Sequence, residues 1–329
     1  MKRRLFSSFL AIVVSVSIMV LVSCGKSSKE VKIKKDTSAM KKVGVAFALT
    51  SNPFDKAEKK SLAKSAKENG FEAIFKDAKG KLANQQGDIE NLISEKLSYL
   101  VAVPIKENSF KGIFYTAHAA KLPIILINRG IRGVPGVDFT ALITSDGQWE
   151  GRTAAEWLLR NKKGKINVVQ LVGTPGSSVT KARTEGFRIA ARKKRRLKIL
   201  ESTICDFSRT EAYDRTKELI KIYLQTGIKV DAIFSHNDSM ALGAIEALKE
   251  EGLKPGKDIL IVGVDGQKEA KEAIEKGEMS ATITSSPFYG PIVFKNIKDL
   301  EAGKKIKPIQ TIKGKLFDKT NIDQFNSAF

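Results

Sequence analysis

The stretch "DAIFSHNDSMALGAIEALKEEG", residues 231–252, begins with an apolar run, passes through three polar residues and continues with the pattern of a helix. An Asn or Asp at such a junction often caps the helix, because its side chain accepts a hydrogen bond from a free N–H group of the first turn. Polar side chains at the carboxyl ends of parallel strands also line the crevice in which α/β proteins bind ligands. His236, Asn237 and Asp238 therefore allow two interpretations, a helix cap and a ligand site.

The same order of strand and helix recurs along most of the chain. Short runs such as "KVGVAFALT" and "LPIILIN" are apolar on both faces, as buried parallel strands are. They alternate with helical stretches, which predicts βαβ units and parallel sheets. The alternation restarts after "DFTALITSD", so we predict two α/β domains, over residues 42–144 and about 146–283. The pattern alone leaves open which domain the segments from residue 279 onward complete.

The first residues have the pattern of an export signal. Residues 1–4 carry three cations, and an almost uncharged apolar run follows up to Cys24. A membrane-spanning anchor is the alternative, since residues 5–22 are just long enough to cross a bilayer. "LVSCG", residues 21–25, resembles the lipobox of bacterial lipoproteins, in which the chain is cut before the cysteine and the sulfur receives a lipid. That resemblance implies a signal peptide over residues 1–23 and lipidation of Cys24.

The segment that begins at Cys24 predicts a flexible tether, because residues 24–41 are polar and rich in Lys. Cys205 is the other cysteine, so no intramolecular disulfide is expected once Cys24 is lipidated. The formal net charge of +21 falls to +18 when the three cations of the leader are removed. The dense run "ARKKRRLKI", residues 191–199, lies at a helix end, where positive charge is favoured. We expect a solvated basic surface without nucleic-acid binding, and contact with a membrane surface stays open.

Polar and aromatic side chains follow the strands of both domains at their carboxyl ends. Amide, guanidinium and carboxylate groups can each meet two adjacent hydroxyl groups, and phenylalanine rings offer apolar faces to the C–H side of a small polyol. Each residue also has a structural interpretation, as a helix cap, a core residue, a surface ion pair or a turn. Their occurrence at the same end of successive strands in both domains indicates a sugar-like ligand in a cleft. These residues are Asn52, Phe54, Asn128, Arg129, Arg183, Phe207, Asn237 and Asp265.

Several of these segments together resemble a known family. "NPF", "LINRG", "ARTEGF", "NDSMALGAIEAL", "VGVDG" and "ATITSSP" are similar, in this order over residues 42–315, to periplasmic sugar-binding proteins of the ribose and galactose type. The pair "NDSMALGAIEAL" and "VGVDG" is the most specific part. The resemblance implies the type I periplasmic binding protein fold, an α/β fold in which two similar doubly wound parallel-sheet lobes are joined by a three-crossing hinge and close on the ligand.

The resemblance also implies the limits of the two lobes. The crossings are expected near residues 144–146, 285 and 308–311. The N-terminal lobe would then hold residues 42–144 and 286–308, and the C-terminal lobe residues 145–285 and 309–329. Asn237 would point into the cleft, while Asp238 or Ser239 would cap the helix that follows.

By the same resemblance, Phe54 and Phe207 would hold a ring between them, and the polar side chains of the set, with Ser285 added, would bond its hydroxyl groups. An unmatched polar group in such a site discriminates steeply between ligands. The ligand class therefore stays open among pentoses, hexoses, polyols and cyclic polyhydroxy compounds. The positions that depart from ribose-type members are Asp55 in place of a second aromatic residue, Val103 in place of a polar amide, Asn128 in place of an aspartate and Ser285 in place of a glutamine.

The expected function is capture of a monosaccharide or small polyol and its delivery to an ABC permease. The carrier would be a monomeric lipoprotein of the bacterial cell envelope, in the periplasm or on the outer face of the cytoplasmic membrane, without cofactor or metal. A sugar receptor in sensing or chemotaxis and an adhesin-type surface lipoprotein are the alternatives. An enzyme is not expected, because the chain has only His118 and His236 and no catalytic or phosphate-binding motif. A transcription regulator of the lactose-repressor type shares the fold, but the leader and tether occupy the place of its DNA-binding headpiece.

Overall fold

The structure is a computed structural model that describes residues 40–326 and 329. The predicted signal peptide, Cys24 and the tether up to residue 39 lie outside the described residues and stay predictions. The compact unit Met40–Phe329 is built around two six-stranded sheets. None of the helices in the described part of the chain combines the length and the apolar character needed to cross a membrane.

Strands and helices alternate along the chain. The first elements are β1 (Lys41–Phe47), α1 (Pro53–Glu68), β2 (Phe71–Asp77), α2 (Leu82–Ser94), β3 (Tyr99–Ala102), α3 (Lys111–Ala119), β4 (Ile124–Ile127) and β5 (Ala141–Ser145). The elements that follow are α4 (Gly147–Asn161), β6 (Ile166–Val172), α5 (Ser178–Lys193), β7 (Leu197–Ile204), α6 (Arg209–Thr226), β8 (Ala232–Ser235), α7 (Asp238–Glu250), β9 (Leu260–Asp265), α8 (Lys268–Glu275) and β10 (Ala281–Thr284). The last are α9 (Gly290–Glu301), β11 (Ile309–Ile312), β12 (Leu316–Asp318) and a short 3-10 helix (Ile322–Gln324).

The two sheets have the same doubly wound arrangement. The first has the strand order β11-β5-β4-β3-β1-β2, with all neighbours parallel. The second has the order β12-β10-β9-β8-β6-β7 and is parallel except for the short edge strand β12. We call each sheet with its helices a lobe. The predicted fold class, two similar doubly wound parallel-sheet lobes, is confirmed.

Both faces of each sheet are covered by helices, which explains why the strands are apolar throughout. Alternate residues of a strand face opposite sides. Ile125 and Ile127 of β4 belong to the core under α1 and α9, whereas Ile124 and Leu126 belong to the core under α2 and α3. The second sheet is covered in the same way, with Ile233 of β8 in the core shared with α6, α7 and α8.

The chain passes from the first sheet to the second after β5, returns after β10 and passes again after β11. The last passage differs from the prediction. β11 pairs in parallel with β5, so residues 309–312 complete the first sheet and their assignment to the second lobe is wrong. The chain crosses at residues 313–315 instead, before β12 joins β10. The physical reason is that β5 would otherwise be the edge strand of the first sheet, and its free backbone groups pair with β11 before the chain crosses to the second sheet. The other lobe limits stay predictions.

Candidate ligand-binding site

The side chains that follow the strands of both lobes meet at one cavity. Its volume is about 310 Å³, including the part open to solvent. Eight of the nine predicted site residues line it, and Asp55 and Val179 line it in addition. The first lobe contributes Asn52, Phe54, Asp55, Asn128 and Arg129, and the second contributes Val179, Arg183, Phe207, Asn237 and Asp265.

Ser285 is the predicted site residue that the structure does not bring to the cavity wall. It is buried at the passage from β10 to α9, and its hydroxyl oxygen lies 2.8 Å from that of Ser145, at the end of β5. The hydrogen bond between the two hydroxyl groups joins the two strand ends next to the crossings. Ser285 therefore differs from the prediction, because its polar group serves the hinge.

Asn237 and Asn52 are helix caps and cavity residues at once. The Asn237 side-chain oxygen accepts a hydrogen bond from the Met240 N–H at 2.9 Å, and its amide nitrogen donates to the Phe207 carbonyl at 3.3 Å. The Asn52 side-chain oxygen accepts from the Asp55 N–H at 2.9 Å at the start of α1. Asn237 therefore caps the helix and lines the cavity with one short side chain, and its contact with a ligand stays a prediction.

Asp238 was expected as a possible cap, and the structure gives it a different role. Its carboxylate is fully buried and accepts hydrogen bonds from the Gly266 N–H at 2.7 Å, the Gln267 N–H at 2.9 Å and the Thr282 hydroxyl at 2.8 Å. Burial raises the pKa of Asp238 to about 7, and these three donors act against that rise. The carboxylate therefore holds the turn that follows Asp265, the last residue of β9, against the start of α7.

Three cavity residues have a backbone conformation that side chains rarely adopt. The φ angles are +62° at Asn128, +60° at Phe207 and +123° at Asp265. Each such position costs about 1–3 kcal/mol and persists only where the surrounding structure enforces it. Close packing supports Phe207, because a Cβ atom at Gly173 would lie 2.0 Å from its ring. Strain of this kind concentrates at functional sites, and here it aims three strand-end side chains at one cavity.

Arg183 is held by acceptors on three sides. Its Nε atom donates to Glu150 Oε2 at 2.7 Å, Nη2 lies 3.6 Å from Asp265 Oδ1, and Nη1 donates to the His236 carbonyl. Burial lowers the pKa of Arg183, but Glu150 and Asp265 outweigh this effect, so the pKa lies above its usual value. Burial raises the pKa of Asp265 well above its ordinary range, against the influence of Arg183. The guanidinium is therefore fixed before any ligand arrives.

Arg129, on the opposite wall, is held differently. Its guanidinium lies over the Phe207 ring at 5.3 Å, a cation–π contact between the lobes. No carboxylate of the described residues lies within ion-pair distance of it. Burial lowers its pKa, while the charges of Asp55 and Glu58 raise it. Its donors are therefore available to acceptors inside the cavity.

Direct contacts between the lobes close the cavity. The Gly130 N–H donates to the Ser178 hydroxyl at 2.8 Å, and the Glu107 N–H donates to the Gly176 carbonyl at 2.8 Å. The Glu107 carboxylate also lies 3.5 Å from Lys181 Nζ. These contacts join loops of the first lobe to the start of α5 in the second, so the two lobes are in direct contact.

The chemistry of the cavity is that of a binding site for an uncharged polar molecule. Its amides, guanidinium groups and carboxylates can bond hydroxyl groups, and its two phenylalanine rings can contact C–H surfaces. Within residues 40–326 and 329, no group of three or more His, Cys, Asp or Glu side chains is placed to hold a metal ion. Two doubly wound lobes, three crossings and a polar cavity lined by both lobes define a two-lobed solute-binding protein.

The chain belongs to the periplasmic binding protein family: the family model described as a periplasmic binding protein domain matches residues 43–305. The predicted resemblance is thereby confirmed. Members of this family are binding proteins rather than enzymes, and they act outside the cytoplasm, which supports both predictions for this chain.

Individual relatives agree with the family. The ribose import binding protein of Bacillus subtilis is 31% identical over 90% of this chain and 94% of the relative. A crystal structure of a galactofuranose binding protein superimposes with a TM-score of 0.83 and 26% identity, over 86% of this chain and 96% of that one. The periplasmic binding protein of the arabinose ABC transporter from Shewanella sp. ANA-3, bound to α- and β-L-arabinofuranose, has a TM-score of 0.82 and 30% identity, over 86% and 93% of the two chains.

Proposed function

We propose that this protein captures a monosaccharide or a related small polyol between its two lobes and delivers it to an ABC permease. The observation that carries the proposal is that eight residues predicted from the sequence to contact a sugar line one cavity between the lobes. Closure of the lobes on the ligand would present a joint surface of both lobes to the permease.

The names of the relatives support this choice of ligand and partner. They include a ribose import protein, a galactofuranose binding protein and a protein of an arabinose ABC transporter that binds arabinofuranose. These ligands are uncharged and carry several adjacent hydroxyl groups. The side chains of Arg183, Asp265 and Asn237 can each form hydrogen bonds with two adjacent hydroxyl groups. A pentose or another sugar in the furanose form is therefore the first candidate.

The location follows from the same proposal. We propose that the chain is exported, cleaved before Cys24 and held on the membrane by lipid on that cysteine, with the polar tether giving the lobes reach. One cavity formed within one chain is sufficient for capture, so a monomer is the proposed working unit.

The test is a thermal-shift screen of residues 27–329, a chain that keeps the whole compact unit Met40–Phe329. The panel contains ribose, arabinose, xylose, galactose, fructose, xylitol and myo-inositol. A ligand that binds only the folded form stabilises it by about 2.7 kcal/mol at a concentration of 100 times Kd. We expect one compound to raise the melting temperature strongly, and the shift to disappear in Asp265→Ala.

The matched control is Glu246→Ala, which removes an exposed carboxylate that pairs with Arg209 outside the cavity. This variant should keep the full shift. A flat screen, or a shift that survives in Asp265→Ala, would contradict the proposal and favour the adhesin alternative, which needs no small ligand.

A further inference from the structure

The end of α5 carries a strongly basic surface that lies outside the ligand site. Two pockets flank this helix end, and cations line both of them. Every one of these cations except Arg196 is exposed to solvent. We call the six exposed residues the α5 basic surface: Arg160, Lys193 and Lys194 at the first pocket, and Arg188, Arg192 and Arg195 at the second.

Arg196 has a structural role at this helix end. Its guanidinium donates hydrogen bonds to the backbone carbonyls of Leu159, Lys162 and Gly164, at and after the end of α4. Such carbonyls have no partner within the helix. The Arg196 carbonyl in turn accepts a hydrogen bond from the Ile166 N–H at 2.7 Å, at the start of β6. Arg196 therefore joins the end of α5 to the end of α4 and to the second sheet.

The α5 basic surface has no comparable bonds within the protein. Among residues 40–326 and 329, no carboxylate lies within ion-pair distance of its six charged groups, and none of these groups forms a hydrogen bond with the protein. The negative end of the helix dipole favours Arg192 and Lys193 in the last turn of α5. That effect does not extend to Arg188, which lies a full turn before Arg192. The fold therefore accounts for only part of this positive charge.

Elsewhere in the second lobe, exposed cations have carboxylate partners. Between α6 and α7, Lys217 Nζ lies 2.6 Å from Glu250 Oε2, and Arg209 pairs with Glu246. Like charges without such partners repel one another, and this repulsion disfavours the compact state. The chain thus neutralises the cations of α6 and leaves those at the end of α5 for an anion from outside.

The chemistry of the α5 basic surface fits a partner with many phosphate groups. A guanidinium can form two parallel hydrogen bonds with a phosphate, and an ammonium contacts a phosphate as a point charge. The cations occupy two pockets of the helix end, so one small anion cannot contact all of them. A bilayer with anionic lipids presents phosphates over a plane and attracts basic surfaces. Because the family acts outside the cytoplasm, a membrane surface is a nearer partner than nucleic acid.

We propose that the α5 basic surface docks the second lobe on an anionic phospholipid bilayer, where its arginine and lysine side chains bind headgroup phosphates. The surface lies beside the amino ends of β6 and β7, because Arg196 bonds the start of β6 and β7 begins at Leu197. The ligand cavity lies at the carboxyl ends of the strands, so docking leaves it free. This inference goes beyond sugar capture and requires neither a bound sugar nor a lipid on Cys24.

The experiment is sedimentation of residues 40–329 with lipid vesicles. This chain is the compact unit, and it lacks the Lys-rich tether, whose own cations would bind an anionic bilayer. One set of vesicles is pure phosphatidylcholine, and the other contains one quarter phosphatidylglycerol. We expect binding to the anionic vesicles alone. It should weaken as NaCl is raised from about 50 mM to about 300 mM, because salt screens exposed charges.

One variant combines Arg188→Gln, Arg192→Gln and Arg195→Gln, which removes the three cations of the second pocket and keeps polar side chains. Each basic side chain near an anionic bilayer adds a similar increment of attraction, so the loss of three should weaken binding to the anionic vesicles about 100-fold. These residues are exposed and do not line the ligand cavity. The melting temperature and its shift with sugar should therefore stay as in the unchanged protein.

The matched control combines Lys60→Gln, Lys64→Gln and Lys67→Gln, at three exposed positions of α1 in the first lobe. It lowers the net charge of the protein as much as the first variant does, so it separates overall charge from the α5 basic surface. We expect the control to bind the anionic vesicles within about twofold of the unchanged protein, since charges far from the bilayer are screened.

The outcomes are distinct. Equal losses in the two variants would assign binding to the overall charge and overturn the proposal, as would an absence of binding to the anionic vesicles or equal binding to both kinds of vesicle. Binding to a short DNA duplex without binding to vesicles would identify another class of partner and also overturn it. A flat sugar screen would refute the proposed function and leave the vesicle result unaffected, so the two proposals fail separately.

Discussion

In the second lobe, hydrogen bonds and ion pairs within the lobe hold the arginine of the cavity wall in place. In the first lobe, the arginine of the cavity wall has no ion pair among the described residues. Arg183 bonds Glu150, lies near Asp265 and donates to a backbone carbonyl, all on its own lobe. Arg129 stacks on Phe207 of the other lobe and has no ion pair within the described part of the chain. Arg183 is held by contacts within its own lobe, whereas Arg129 is held by a contact with the opposite lobe.

This difference predicts that the two walls contribute differently to affinity and to specificity. A wall with its donors fixed in advance binds a ligand feature without further ordering, which favours affinity. A wall whose polar groups are unpaired depends on the ligand to satisfy them, which favours discrimination. We expect the second lobe to hold what many sugars share and the first lobe to select among them. Replacing the arginine of each wall by Met should therefore change the free energy of unfolding and the ligand affinity to different extents.

The largest effect is expected for Arg183→Met. Removing the guanidinium leaves Glu150 and Asp265 buried without their cation, which costs about 3–5 kcal/mol of unfolding free energy. Binding should fall below detection, because both a donor and the position of Asp265 are lost. Urea denaturation and calorimetry measure the two effects. Arg209→Met, which removes an exposed ion pair with Glu246, should change stability by less than about 1 kcal/mol.

Arg129→Met should weaken binding about 10- to 100-fold with a stability change within about 1 kcal/mol. The loss of stability is small because no ion pair is broken, and because Asp55, whose pKa already lies near 7, takes up a proton when its cation is removed. Parallel titrations with urea and with the bound sugar measure this. If Arg129→Met unfolds as easily as Arg183→Met, the contrast between the two walls is wrong.

A smaller effect separates the cap from the ligand contact at Asn237. Ser is as good a helix cap as Asn, so Asn237→Ser should keep the melting temperature within a few degrees. It lacks the amide that faces the cavity, so we expect about tenfold weaker binding. Asn237→Ala, which loses both, should also unfold more easily by about 1 kcal/mol. Unchanged affinity in Asn237→Ser would show that the side chain serves the helix alone.

The features that the sequence predicted correctly are those fixed by local patterns. Strands such as β4 and β8 are apolar on both faces because helices cover both sides, and that pattern is visible residue by residue. Asn52 and Asn128 come together because parallel strands bring their carboxyl ends to one edge of the first sheet, and Asn237 and Asp265 come together in the same way in the second sheet. Topology therefore converts a regular sequence position into a shared site.

The features that the sequence missed depend on distant contacts. β11 has the alternating exposure of an edge strand, and the sequence does not show which sheet has the free edge. α8 has only eight residues, mostly charged, so its sequence carries too short an apolar pattern from which a helix could be predicted. Asp55 has the sequence position of a helix cap partner, and the sequence does not show that its side chain is buried in the cavity wall.

The most direct test of the account is a crystal structure of residues 27–329 with the sugar that stabilises them most. We predict one sugar ring in the cavity, with Phe54 and Phe207 on its faces and its hydroxyl groups bonded by Arg129 from the first lobe and by Arg183 and Asp265 from the second. A sugar bound elsewhere on the chain, or a cavity that stays without sugar at saturating concentration, would contradict the account.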